Sequence, residues 1–140
     1  RRSSSAASDV YKRQVEEATK LHTLSRDLDL DPIILMTQTS SDDRLKKLGE
    51  SSSGMVYAVA RKGVTGSKTT MDESIDSLIS RCRANTSVHL GVGFGISSKS
   101  DLDFLKGKAD VAIIGTAALQ AWETSHANGY KNFFESLQIS

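Results

Sequence analysis

The chain has 140 residues, a quarter of them charged, with a formal net charge of +1 and one cysteine. A single cysteine excludes a disulfide framework and fits a cytoplasmic protein, and no apolar run reaches the roughly 18 residues of a membrane span. The charge is uneven, +3 over residues 1–14 and −2 over residues 15–140, so the slight basic balance makes no case for nucleic acid or a membrane surface as a partner.

Ser4-Ser5-Ala6-Ala7-Ser8-Asp9-Val10-Tyr11-Lys12-Arg13-Gln14 resembles the read-through translation of a transposase-tagging sequencing adapter. Residues 1–14 are therefore expected to be a non-native segment, set apart from fold reasoning, with residues 15–140 as one natural unit. Residues 15–31 read as a helix, with Val15, Ala18, Leu21, Leu24 and Leu28 as an apolar stripe. Pro32 excludes its continuation, and Ile33-Ile34-Leu35-Met36 is a short apolar run of the kind found in buried parallel strands. Ser41 caps a short helix in which Asp42 and Asp43 come first and Lys46 and Lys47 last, as the helix dipole prefers.

The second strand is residues 55–60. A glycine-rich loop follows, and Thr70 with Glu73 forms a capping box for a helix to Ala84. Ile75, Leu78, Ile79 and Cys82 share one face of it, so Cys82 reads as an inert small hydrophobe. The third strand, residues 88–93, runs into Gly93-Phe94-Gly95, and Ser98 with Asp101 opens the next helix as a near capping box. The fourth strand, residues 110–114, ends at Gly115-Thr116, where a helix begins; a last helix covers residues 130–137 with Phe133, Phe134 and Leu137.

Four strand–helix units of this spacing imply a parallel sheet with right-handed crossovers. A short extra helix after the last strand, with a glycine turn after the strand before it, is the phosphate arrangement of a (β/α)8 TIM barrel. The expected fold is thus α/β, a fragment covering about the last four units of such a barrel, with a doubly wound sheet as the alternative. Three glycine tips, at Gly63 and Gly66, Gly93 and Gly95, and Gly115, fall at the strand ends where backbone amides can meet an anion. Arg61 and Lys62 read as solvated loop cations. His22, His89 and His126 have no metal-ligand spacing; His22 and His126 read as solvent-facing and His89 as facing the outer helices.

These motifs together carry a resemblance. Arg61-Lys62-Gly63-Val64-Thr65-Gly66, Gly93-Phe94-Gly95-Ile96-Ser97-Ser98 and Gly115-Thr116-Ala117, supported by Val15-Glu16-Glu17, Ser41-Asp42-Asp43-Arg44-Leu45 and Tyr57, resemble the carboxy-terminal half of the tryptophan synthase alpha chain family over residues 15–123. The resemblance implies a lyase that cleaves indole-3-glycerol phosphate to indole and glyceraldehyde 3-phosphate. It implies that Gly66, Gly95, Gly115 and Thr116 bind the substrate phosphate, that Phe94 packs against the indole, and that Tyr57 and Thr65 support catalysis. The family's catalytic glutamate and aspartate would both lie upstream of Val15, so no catalytic acid or base is expected here. No metal or cofactor is implied for this chain; pyridoxal phosphate would sit on the beta subunit of an alpha2-beta2 complex. Residues 36–40 depart from the proline-bearing segment common in the family, near the partner surface, and residues 67–70 depart from its usual loop. Two other readings stand beside this one: another phosphate-binding barrel enzyme, and a non-catalytic barrel that binds a phosphorylated metabolite. The open edges of a half barrel lead us to expect marginal stability or aggregation of residues 15–140 alone.

Overall fold

The structure, a computed structural model, describes residues 2–3, 15–59, 73–93 and 95–137. In chain order its elements are β1 (Arg2–Ser3), α1 (Val15–Asp27), β2 (Leu30–Asp31), β3 (Ile33–Thr37), α2 (Asp42–Ser51), β4 (Met55–Val59), α3 (Glu73–Ala84), β5 (His89–Val92), α4 (Lys99–Leu105), β6 (Val111–Ala112) and α5 (Thr116–Ser136). β1 pairs in parallel with β2. The other four strands form one all-parallel sheet in the order β3-β4-β5-β6, the four strands and the topology expected from the alternation of apolar runs with capped helices.

The period-2 pattern decides the two faces of the sheet. Ile34 and Met36 of β3, Val56 and Ala58 of β4, and Leu90 and Val92 of β5 are wholly buried. They share one core with Leu45 and Leu48 of α2, Ile75, Leu78, Ile79 and Cys82 of α3, and Leu105 of α4. The intervening residues of β3 and β4, including Leu35, Met55 and Tyr57, are only half-buried. The sheet is therefore clad by helices on one face and open on the other. The register sets Leu35, Tyr57, Gly91 and Val111 side by side on that open face.

The helix starts follow local chemistry. Ser41 caps α2, its hydroxyl accepting from Arg44 N at 3.3 Å. Ser98 and Asp101 form a complete capping box on α4. The box expected from Thr70 and Glu73 lies outside the described residues. α5 runs as two helical stretches joined at a kink, with Ser125 and His126 out of helical geometry and His126 at φ 47°. This agrees with the two helices expected there, although the second begins earlier than residue 130.

Three expectations are corrected. His22 is buried, 4% exposed, and its Nε2 has no hydrogen-bond partner among the described residues. Leu24 and Leu28, placed on the packing stripe, stand in solvent at 59% and 70% exposed. α1 meets α2, and Arg26 Nη2 donates to Ser51 O across that contact at 3.2 Å, while Leu24 and Leu28 stay in solvent. His89 lies in register with Met55 and is exposed, on the face opposite Leu90, because strand alternation sends only its neighbour toward the helices.

Candidate functional site at the carboxy ends of the strands

All four strands of the sheet point the same way, so their carboxy ends share one rim. The loop after β4, which holds Thr65 and Gly66, lies outside the described residues, as does Phe94. What is described on the rim is the turn after β3, Tyr57 near the end of β4, the Gly93 and Gly95 turn after β5, and the Gly115 turn after β6.

The rim is held in register beyond the strand ends. Gly93 N donates to Ala58 O at 3.4 Å and Ile113 N to Val92 O at 2.8 Å. Tyr57 Oη donates to Gly93 O at 3.4 Å. Gly93 admits no side chain, because a Cβ there would stand 2.7 Å from Tyr57 Cε2 and 2.9 Å from Cζ, with Oη nearer still. The hydroxyl end of the phenol ring thus packs close against Gly93. Burial raises the Tyr57 pKa above its ordinary value, which keeps the phenol a neutral donor.

Gly95 is exposed at φ 69°, the left-handed region that favours glycine, with nothing within 4 Å of where a Cβ would be. Two residues on, the amides turn inward: Ser97 N and Ser98 N donate to Asp101 Oδ2 at 2.8 and 2.9 Å. Partial burial works to raise the Asp101 pKa, but the hydrogen bonds from Ser97 and Ser98 prevail and hold it below the usual carboxylate range. The amino end of α4 therefore already carries an anion.

The amino end of α5 is different. Gly115 occupies its cap position, is exposed, and offers no side-chain cap. Leu119 N donates to Gly115 O at 3.1 Å, so helix geometry leaves the amides of Thr116, Ala117 and Ala118 without partners in their own helix. Thr116 adds an exposed hydroxyl beside them. The turns bearing Gly95 and Gly115 follow β5 and β6, which are hydrogen-bonded neighbours. Bare amides, a favourable helix dipole and one hydroxyl are the chemistry of an oxyanion seat.

One rim element escaped sequence reasoning. Arg81 of α3 reaches the turn after β3, donating to Ser40 O at 2.6 Å, Gln38 O at 3.4 Å and Asp42 Oδ1 at 2.8 Å. Gln38 Nε2 in turn donates to Ser74 Oγ at 3.3 Å. No spacing rule links residues some forty positions apart, and an arginine on a polar helix face reads as solvated. Among the described residues, no group of three or more His, Cys, Asp or Glu could hold a metal ion, and no helix is long and apolar enough to cross a membrane.

Comparison with known proteins agrees with this architecture. A sequence profile of the tryptophan synthase alpha chain matches residues 11–139. The tryptophan synthase alpha chain of Desulfotalea psychrophila is 42% identical over 109 residues, 78% of this chain and 43% of its own length. That of Methanopyrus kandleri is 39% identical over 107 residues, 76% of this chain and 39% of its own. A structure of Mycobacterium tuberculosis tryptophan synthase superposes with a TM-score of 0.78 at 28% identity, over 90% of this chain and 48% of the matched one. The chain spans less than half the length of the relatives it matches, and its four βα units are part of a (β/α)8 barrel.

Proposed function

The chain belongs to the tryptophan synthase alpha chain family, and we propose that it is the carboxy-terminal half of an alpha subunit that cleaves indole-3-glycerol phosphate to indole and glyceraldehyde 3-phosphate. The observation that carries this reading is the uncapped amino end of α5 beside Gly95, set against the capped amino end of α4.

In this reading the substrate phosphate takes amides of Gly95 and of the first turn of α5, with the Thr116 hydroxyl as a further donor. Gly66 contributes from the loop after β4, and Phe94 packs against the indole. Tyr57, neutral and braced on Gly93, lines the pocket beside the reacting atoms. The cleavage moves a proton to indole C3 while a base takes the proton from the glycerol hydroxyl; the bond between C3 and the glycerol carbon breaks, and that carbon becomes the aldehyde. The acid and base are carboxylates of the other half of the barrel, with Thr65 bonding to the aspartate when its loop closes. The half described here then binds the phosphate and does not turn over. The beta subunit is the partner of the parent and carries the pyridoxal phosphate; this half carries no cofactor.

The test is titration of the 140-residue chain with glycerol 3-phosphate, followed through backbone amide resonances. Saturable binding with Kd of about 1–10 mM, or roughly −3 to −4 kcal/mol, is expected, with the largest shifts at Gly95, Thr116 and Ala117. Shifts confined to Ser97 and Ser98, or no saturation, would refute it. The readings as another barrel enzyme or as a non-catalytic binder share the phosphate seat. They part from this one if the parent gene lacks the upstream glutamate and aspartate.

A further inference from the structure

The contacts of Arg81 converge on one short turn. Its guanidinium donates to Ser40 O at 2.6 Å, to Gln38 O at 3.4 Å and to Asp42 Oδ1 at 2.8 Å. Gln38 Nε2, from the same turn, donates to Ser74 Oγ at 3.3 Å, so both tethers come from α3. The turn, Thr37-Gln38-Thr39-Ser40, contains no glycine or proline to set its backbone. A planar fork of donors on two of its carbonyls sets it from outside, which the point charge of a lysine would not do. The Asp42 carboxylate is 75% exposed, so the ion pair contributes little, and the carbonyl contacts are what Arg81 supplies.

The contacts continue through the turn to the other side of the sheet. Ser40 is buried, and its hydroxyl lies 3.2 Å from Thr37 Oγ1, which also meets Thr39 Oγ1 at 3.1 Å. Thr37 is the last residue of β3 and is half-buried like Leu35, two residues before it, on the open face that also carries Tyr57. Arg81 on the helix-clad side is thus joined through Ser40 to a side chain on the open side. In the order β3-β4-β5-β6, the oxyanion seat follows β5 and β6. Thr37 stands at the end of β3, three strand spacings or about 14 Å from β6. A phosphate ester seated by its charged end lays its organic end over Tyr57 and toward Thr37. We infer that Arg81 is a positioning residue for that organic end: through Ser40 it holds Thr37 as the far wall of the pocket and sets the fit of the ring without touching it. The inference rests on the phosphate reading and adds to it the part of the rim that selects the organic group.

The test compares two ligands of the 140-residue chain by the same amide titration. They are glycerol 3-phosphate and an indolylpropyl phosphate, which share the charged group and differ in the ring. The wild-type chain is expected to hold the indole ester at least about threefold tighter, because the ring covers apolar surface at Leu35 and Tyr57. Arg81→Met is expected to weaken the indole ester by about three- to tenfold, as for one neutral hydrogen bond, and to change Kd for glycerol 3-phosphate by less than about twofold. Thr37→Val keeps the shape and removes the hydroxyl; it is expected to give the same selective loss, and the double variant no more than the larger of the two. Should Arg81→Met lose its far-ultraviolet circular dichroism, Arg81→Lys, which keeps the charge but cannot span both carbonyls, carries the same expectation. A general loosening of the fold would instead weaken both ligands together. Equal weakening of both, no change in either, additive losses in the double variant, or a wild-type chain that binds the two ligands equally would overturn the inference and leave the phosphate reading standing. A wild-type chain that does not bind glycerol 3-phosphate would overturn the phosphate reading and the inference with it.

Discussion

Replacing Gly93 with alanine tests the packing under the rim. The added Cβ would lie 2.7 Å from Tyr57 Cε2 and 2.9 Å from Cζ, against an ordinary carbon–carbon contact of about 3.5–4.0 Å. The ring must retreat by about 1 Å, and its 3.4 Å hydrogen bond to Gly93 O goes with it. Overpacking of this kind costs about 1–3 kcal/mol, and a long neutral hydrogen bond adds about 0.5 kcal/mol. Stiffening of the unfolded chain by alanine returns about 0.4–1 kcal/mol. The net expectation is a loss of about 1–3 kcal/mol. Urea unfolding at one fixed protein concentration measures it, and with a slope of about 2 kcal/mol per molar the midpoint falls by about 0.5–1.5 M. The same substitution in a Tyr57→Leu background meets no ring, so it is expected to cost at least about 1 kcal/mol less. Equal costs in the two backgrounds would show that the ring is not what excludes the side chain.

Gly95 and Gly115 are expected to separate in their own way. Gly95→Ala forces a side chain onto φ 69° and should lose about 1–2 kcal/mol, whereas Gly115→Ala, at φ −112° with open space around it, should stay within about 0.5 kcal/mol by the same urea assay. Acidification should weaken the fold in two stages. Burial, and secondarily Arg26, lowers the His22 pKa, so its stabilisation is present above the unfolded value of 6.5 and fades as pH falls below it. Asp101 and Asp110 are also lowered, so theirs fades only below about pH 4. Unfolding free energy measured from pH 3 to pH 8 checks this, and His22→Gln should remove the first stage alone. Burial, opposed by Arg81, pushes the Cys82 thiol up to about 11, so a thiol reagent at pH 8 should modify it only at the rate of unfolding, and a fast native-state reaction would contradict the packing of α3.

The legible parts of this fold were those encoded within a few residues. The apolar run of residues 55–60 located β4, though not which of its faces is buried. The spacing of Ser98 and Asp101 located the start of α4, including both hydrogen bonds of its capping box. Gly95 and Gly115 were legible as strand-end turns because only a few residue types suit such positions. The side that α1 turns to α2 was not legible, since a helix with leucines on one face and a histidine on another does not announce which face its neighbour meets. The lock between Tyr57 and Gly93 was hidden for a related reason. It depends on the register that sets Tyr57 opposite Gly91, which no local pattern specifies. The reach of Arg81 to Ser40 and Gln38 needed the same tertiary knowledge.

The cap on α4 has a meaning beyond helix stability. The Asp101 carboxylate, holding two amides at 2.8 and 2.9 Å, is in effect a tethered competitor that a free anion at millimolar concentration cannot displace. Of the two amino ends on this rim, that of α4 holds its own carboxylate and that of α5 has no side-chain cap. In the reading proposed above, an asymmetric phosphate ester would have one orientation open to it, with its charged end toward α5 and its organic end toward Tyr57. The polarity of binding in that reading follows from which helix supplies its own counter-ligand.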